Sequence, residues 1–344
     1  MVNAVREIFS DFDLEDVKEY IYQTNYKEDM LNKVEPYLKN KLKNGYILGK
    51  ENLKLYYEKF IVEKPKANIV ICHGLREFTE KYYELIYYFL QEGYSVFIIE
   101  HRGHGHSQRL GIDNSQVNVE KFDYYVEDFK KFIDEIVIPE SKNKSLLLFA
   151  HSMGGGIGTI FLEKYTNYFK AAVLSSPMHE MNTGKSPKIL ANIVSMGMKL
   201  CGKGKMYLPG QRPYSGKKNF SSSSTSCKER HEYLQDKIKK NNIYHSGGIS
   251  ALWYLESLKA TKILIKKENA SKVKIPTLLF QAQYDTHVIP KGQNKFASYA
   301  KNCELIHVNG SKHESYFEID EIVFPVLDKV LLFYEKNYKA HSKK

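Results

Sequence analysis

The sequence predicts an α/β fold: a mostly parallel central sheet, helices on both faces, and a helical insertion late in the chain. Three observations carry this. Short, near-continuous apolar runs such as "NIVIC", "YSVFII" and "SLLLFA" read as strands buried on both faces. Helical patterns separate them, so parallel pairing through crossover connections is the expected topology. The alternation stops after Pro177 and resumes at "IPTLLFQAQYD", with no buried strand between.

Taken in order, residues 1–42 read as amphipathic helices, for example "LEDVKEYIYQT". "YILGKENLKLYYEKFIV" has strand-forming residues on both sides of Gly49 and reads as a hairpin. "NIVICHG" is the first core strand, and "TEKYYELIYYFLQEG" is a helix closed by Gly93, a favoured C-cap residue. "YSVFIIEHRG" is the second strand. In "FDYYVEDFKKFIDEI", Phe122, Tyr125, Val126, Phe129, Phe132 and Ile133 share one helical face. "SLLLFA" is the third strand, followed by a helix from about Met153 to Tyr165, and "AAVLSSP" is the fourth. The insertion holds an amphipathic stretch "SPKILANIVSMGMKLCG", a flexible polar middle around "SSSSTS", and a helix "ISALWYLESLKA". "IPTLLFQAQYD", a helix, "CELIHVNGSKHE" and a closing helix "FPVLDKVLLFYEK" complete the sheet. The expected division is an N-terminal helical segment (1–42), a core (43–177 and 271–344) and an inserted cap (178–270).

Composition narrows the function classes. With 344 residues and 42% hydrophobic content, the chain can bury a sizeable core. Mean hydropathy is −0.46, and no apolar run approaches the ~20 residues that span a bilayer. The N-terminus lacks the basic start and apolar middle of a signal peptide, so the cytoplasm is the expected location. Cys72, Cys201, Cys227 and Cys303 are widely spaced, form no CxxC pair, and read as free thiols. Net charge is +11, and residues 182–245 hold thirteen Lys and Arg against three Asp and Glu, nearly the whole excess. That segment carries no nucleic-acid-binding motif, so no nucleic-acid partner is expected. An anionic membrane surface or an acidic substrate would suit it.

The densest chemical signal is "LFAHSMGGGIG", Leu148 to Gly158. A phosphate-binding P-loop would need Lys-Ser or Lys-Thr after the glycines, and a dinucleotide fingerprint would need GxGxxG; neither is present. A serine directly after a buried strand and opening a helix instead matches the GxSxG nucleophile elbow, with Ala150 in place of the first glycine. A hydroxyl needs a base, and the base an orienting acid. Asp285 ends the strand "TLLFQAQYD", and His313 lies just past "ELIHVNGSKH", in the chain order Ser, acid, His. Glu314 is expected to point elsewhere and His307 to be a packing residue. The backbone N–H groups of Met153 and Leu75 are the candidate oxyanion donors. His101, His104 and His106 in "EHRGHGHS" read as a turn beneath the site rather than a metal centre, and neither metal nor cofactor is expected.

Together "HG" after the first core strand, "EHRGHGHS", "FDYYVEDF", "AHSMGGG", "QAQYD" and "SKHE" resemble the α/β-hydrolases of the monoacylglycerol lipase and lysophospholipase group, over roughly Gly45 to Tyr338. The layout is most similar to that of the bacterial lysophospholipase L2 branch, which Ala150 also suits. Arg76 departs from the small residue many relatives carry there. The resemblance implies an α/β-hydrolase fold and carboxylester hydrolysis by Ser152, Asp285 and His313 through an acyl-enzyme, with a single-chain lipid as substrate. It also implies that 178–270 is a cap. Candidate substrate contacts are Arg76, His151, Ile189, Ile193 and Trp253. The stripe Ile189, Leu190, Ile193, Val194 would cover an acyl chain or dip into a membrane interface. Other readings are a monoacylglycerol lipase or general carboxylesterase, a proline-iminopeptidase-like peptidase, and a non-catalytic binding protein on the same scaffold.

Overall fold

The structure, a computed structural model, describes residues 19–184, 188–216 and 219–339. Its frame is an eight-stranded sheet of β1 (Leu42–Leu48), β2 (Lys54–Phe60), β3 (Asn68–Cys72), β4 (Ser95–Ile99), β5 (Leu146–His151), β6 (Ala171–Ser175), β7 (Thr277–Ala282) and β8 (Cys303–Val308). The spatial order is β1-β2-β4-β3-β5-β6-β7-β8. β1/β2 and β2/β4 pair antiparallel, and every other pair is parallel. β3 to β7 are buried at every position, as continuous apolar runs require when helices cover both faces.

Those helices are α1 (Tyr83–Gln91), α2 (Asp123–Phe132), α3 (Met153–Lys164), α4 (Lys188–Leu200), α5 (Lys228–Lys240), α6 (Ala251–Leu264), α7 (Pro290–Tyr299) and α8 (Asp320–Lys339). The face Phe122, Tyr125, Val126, Phe129, Phe132 and Ile133 is buried against the sheet, as its spacing predicts. After β3 the chain moves to one side to form β4, then to the other to form β5. That reversal opens a crevice at the carboxyl ends of β3 and β5, where open α/β sheets hold their ligands.

Three expectations need correction. "LEDVKEYIYQT" is not helical where it is described: Tyr22 is extended, and only a 3-10 turn, Gln23–Asn25, follows. Leu14 to Lys18 lie outside the described residues. The backbone of Ile21 is held by side chains instead, its N–H donating to Tyr88 Oη at 2.8 Å and its carbonyl accepting from Arg230 at 3.1 Å. The following helical stretch packs Tyr26, Met30, Val34 and Leu38 into the same core cluster as α1. The polar "SSSSTS" run, expected to be flexible, is docked. The Ser224 carbonyl accepts from Glu314 N at 3.1 Å, Ser226 N donates to Glu318 Oε2 at 2.9 Å, and Thr225 is buried. His307 is exposed rather than packed, because β8 is an edge strand with one open face.

Between Ser175 and Thr277 the chain adds no strand to the sheet; α4, α5 and α6 and their loops lie there. Its basic charge is partly spent on docking. Arg230 meets Glu84 and Asp320, Lys237 meets Glu35 and Glu80, and Lys205 meets Glu120, all carboxylates from outside the segment. Among the described residues no helix is long and apolar enough to cross a membrane.

Candidate active site

Ser152 sits between the last residue of β5 and the first of α3, at φ 52° and ψ −118°. An L-residue adopts this only under constraint, and the constraint is visible. Ser152 N donates to the Ser175 carbonyl at 3.0 Å, and its own carbonyl accepts from Met178 N at 2.8 Å and Gly156 N at 3.1 Å. The turn also needs glycine: a Cβ on Gly154 would lie 2.0 Å from the Cys72 carbonyl oxygen. Ala150 is tolerated because glycine stands opposite it, the Ala150 Cβ lying 3.1 Å from where a Gly158 Cβ would be.

The structure brings Ser152, Asp285 and His313 together. Ser152 Oγ is 2.8 Å from His313 Nε2, and His313 Nδ1 is 2.7 Å from Asp285 Oδ2. The other Asp285 oxygen accepts from the N–H groups of His287 (2.8 Å) and Val288 (3.0 Å). Burial pushes the Asp285 carboxyl up, but the hydrogen bond and charge of His313 and those two N–H groups outweigh it and hold the carboxyl below its usual value. An ionised Asp285 fixes the proton on His313 Nδ1 and leaves Nε2 to accept from the serine.

Leu75 lies in the turn after β3, and Met153 opens α3, so the Met153 N–H is among those with no intrahelical acceptor. The Leu75 turn is held by a buried ionic cluster. Glu77 accepts from Gly74 N, from Tyr82 Oη, and from Lys81 Nζ at 2.6 Å. Lys81 also meets Glu314 at 2.7 Å. Burial opposes the charge on Glu77, yet Lys81 and His151 hold its carboxyl well below the ordinary range. Glu77, Glu314 and His151 converge as a metal set would, but the Lys81 ammonium already bridges the two carboxylates. Of the three histidines in "EHRGHGHS", His101 and His104 are buried, and His106 Nδ1 lies 3.1 Å from Glu100 Oε2.

Ser152 and His313 open into a cavity of about 810 Å³. Its lining mixes apolar residues, among them Met178, Met181, Leu190, Val194, Ile249 and Val288, with polar ones, among them Arg76, Gln211, Asn219, Ser222, Ser224 and His287. His287 packs over His313 with ring centroids 4.7 Å apart, and its Nε2 meets Ser224 Oγ at 3.0 Å.

The predicted substrate contacts divide. Arg76 lines the cavity, and Trp253 lines it while tied by Nε1 to Tyr125 Oη at 3.2 Å. His151 also lines the cavity; it is 1% exposed, packs against the His313 ring at 4.8 Å, and meets the Ser175 carbonyl through Nδ1, so it supports His313 as well. Ile189 and Ile193 are 75% and 64% exposed and face away from the cavity, which Leu190 and Val194 line. Neighbours on a helix differ by about 100° in direction, so one stripe presents Leu190 and Val194 to the cavity and Ile189 and Ile193 to solvent. His287, Gln211 and the Ser222–Ser224 segment escaped sequence reading, because they lie on loops without periodicity. The Glu77/Lys81 pair did leave a signal, an i, i+4 acid–base spacing.

Comparison with known proteins agrees with this geometry. A family model described as serine aminopeptidase, S33, matches residues 63–320. A probable lysophospholipase L2 of Haemophilus influenzae is 32% identical over 287 residues, covering 83% of this chain and 90% of that protein. The lysophospholipase L2 of Escherichia coli K12 is 26% identical over 303 residues, covering 84% and 86%. Among solved structures, a soluble variant of the monoglyceride lipase of Saccharomyces cerevisiae in complex with a substrate analog superposes with a TM-score of 0.68 at 19% identity, over 86% of this chain and 94% of that one.

Proposed function

The chain belongs to the serine aminopeptidase S33 family of α/β-hydrolases, and from that premise we propose that it is a lysophospholipase working through Ser152, His313 and Asp285. At the coarser level it is a serine ester hydrolase of the lysophospholipase and monoglyceride lipase type. The observation that carries the finer reading is the relay of 2.8 Å and 2.7 Å from a strained serine to an aspartate whose side chain is buried, opening into a cavity lined by both apolar and polar residues.

In this reading Ser152 Oγ attacks the ester carbonyl while its proton passes to His313 Nε2. The N–H groups of Leu75 and Met153 hold the oxyanion. The tetrahedral adduct collapses, the C–O bond to the alcohol breaks, and His313 returns the proton to the departing alkoxide. Water, deprotonated by His313, then cleaves the acyl-serine to free fatty acid. Asp285 remains ionised throughout. The insertion 178–270 acts as the cap over the core (43–177 and 271–344), its Leu190 and Val194 covering the acyl chain. The exposed apolar face of α4, flanked by Lys199 and Lys203, meets an anionic lipid surface. An aminopeptidase would need a free carboxylate for the substrate α-ammonium. Glu77 and Glu314 are both engaged by Lys81, and Arg76 places a positive charge in the cavity lining.

The test is a panel of short esters, monoacylglycerols and lysophospholipids run against Ser152→Ala, with labelling by a fluorophosphonate probe. Turnover is expected to fall by about 10⁴-fold or more and labelling to vanish. Undiminished activity in Ser152→Ala would remove the mechanism.

A further inference from the structure

Among the described residues the buried cations Arg102, Arg230 and Lys81 meet carboxylates, whereas the part-buried Arg109 and Arg76 do not: Arg109 donates to the carbonyls of Gly103 and Ile243, and Arg76 lines the cavity. Arg102 is 2.7 Å from Asp128, Arg230 is 2.7 Å from Glu84, and Lys81 is 2.6 Å from Glu77. Arg76 reaches only an amide: its Nη2 donates to Gln211 Oε1 at 3.2 Å. Its Nε is buried with no acceptor, and no carboxylate lies within ion-pair distance of its guanidinium among the described residues. A guanidinium partly withdrawn from water without an ionic partner is destabilised, and burial depresses its proton affinity. The backbone adds to that cost. Arg76 has φ 64°, a left-handed conformation that an ordinary side chain adopts at a penalty. The turn is locked by Glu77, which accepts from Gly74 N and whose own N–H donates to the Gly74 carbonyl. A strained turn held by Glu77 thus brings a guanidinium without an ionic partner into the lining of the cavity, one residue after Leu75.

We propose that Arg76 is the anion-recognising residue of the substrate site, taking the head-group phosphate of a single-chain phospholipid and so selecting phosphate esters over neutral glycerides. The inference rests on the ester-hydrolase reading above and deepens it. The placement matches the substrate's chemistry. In a lysophospholipid the scissile ester and the phosphate are separated by one glycerol unit, and here the proposed oxyanion donor Leu75 and the anion receptor are neighbours in the chain. The apolar lining residues Met178, Met181, Leu190 and Val194 suit the acyl tail. A guanidinium presents paired N–H donors that match two phosphate oxygens, and Arg76 lines the cavity. Ser222, Ser224 and His287 offer further polar contacts in the same lining. A free fatty-acid carboxylate shares this anion chemistry, so the test separates the two sources.

The measurement is kcat/KM for a decanoyl lysophosphatidic acid and for monodecanoylglycerol, both below their aggregation concentrations, in the wild type and three variants. Arg76→Gln keeps length and polarity without charge and is expected to lower the lysophosphatidate-to-glyceride ratio about tenfold or more. Arg76→Lys should recover part of the ratio, since a point charge remains. Gln211→Glu supplies the missing carboxylate from the partner side and should lower the ratio as Arg76→Gln does, without touching the strained turn. Glycerol 3-phosphate should inhibit glyceride hydrolysis competitively in the wild type, and this inhibition should be lost in Arg76→Gln. A ratio unchanged within about threefold, or an equal fall for both esters with glycerol 3-phosphate inhibition intact, overturns the proposal. So does selective loss of inhibition by decanoate with the ratio unmoved, which would assign Arg76 to the product. A wild type that hydrolyses neither lipid would instead overturn the ester-hydrolase reading, so the two failures are distinct.

Discussion

Gly158 and Ala150 show how the sequence around Ser152 is balanced one methyl at a time. The helix α3 starts so close to β5 that a Cβ on both facing positions would be crowded, at 3.1 Å. Gly158→Ala alone would bring its Cβ to 3.1 Å from both Ala150 Cβ and Leu148 Cδ2, and about 1–2 kcal/mol of stability should be lost. Adding Ala150→Gly vacates the opposing methyl and should recover much of that loss. The readout is a double-mutant cycle by thermal unfolding, and strictly additive effects would disprove the pairing. Glu163, on the same helix, makes a separate prediction. Its side chain is buried, Oε1 has no partner, and burial raises its carboxyl to about 8 against the partial offset of Lys272 and Lys164. Because the folded-state value lies above the unfolded one, the folded state holds the extra proton. The contribution to stability is therefore full below about pH 4.5 and is lost as pH rises towards about 8. Glu163→Gln should raise stability at pH 8 by on the order of 2 kcal/mol, seen as a higher melting temperature, and change it little at pH 4.5. A pH-independent effect would contradict the burial argument.

At the scale of elements, α4 is the exception among the helices. Ile189, Leu190, Ile193, Val194, Met196 and Leu200 are all exposed, whereas the apolar face of α2 is buried. Six exposed apolar side chains on one helix form a patch of the kind that marks an interaction surface. Met196→Glu with Leu200→Glu should cut binding to phosphatidylglycerol vesicles by about fivefold or more in a sedimentation assay. Equal binding of variant and wild type would assign the patch to something other than a membrane. The contrast between α2 and α4 also shows what periodicity conveys. Both helices were legible from their apolar spacing, and so were the core strands, because burial on both faces forces continuous runs. Ser152, Asp285 and His313 were legible because each sits at a strand end, where the fold exposes it. Which way α4 faces was not legible, since spacing marks a stripe and not what covers it. The polar lining at Gln211, Ser224 and His287 was not legible either, since its members come from loops fixed only by tertiary contacts.

For the molecule as a whole, the basic excess of the insertion has a structural account at one residue above all. Arg230 on α5 is fully buried and uses all five of its N–H donors. It bonds Glu84 on α1 at 2.7 and 3.0 Å, Asp320 on α8 at 2.9 Å, and the carbonyls of Glu318 and Ile21 at 2.9 and 3.1 Å. Its guanidinium also lies over the Tyr26 ring, 4.8 Å from the centroid. One side chain therefore joins the N-terminal segment, the first core helix, the insertion and the closing helix. Arg230→Met fills similar volume but leaves Glu84 as an uncompensated buried charge, which should cost about 3–5 kcal/mol and lower the melting temperature by about 10 °C. Arg230→Lys should fare nearly as badly, because three rotatable donors cannot replace a five-donor planar fork. The pairing of Arg230→Met with Glu84→Gln removes both charges and should recover part of the loss, as expected when the penalty lies in the orphaned carboxylate rather than in missing attraction. Limited proteolysis gives an independent readout. The backbone around Ile21 loses one of its side-chain anchors in Arg230→Met, so cleavage near residues 19–25 should precede cleavage elsewhere. A variant that melts within about 2 °C of the wild type and shows no new cleavage would mean that the insertion is held by its apolar contacts, with the charges incidental.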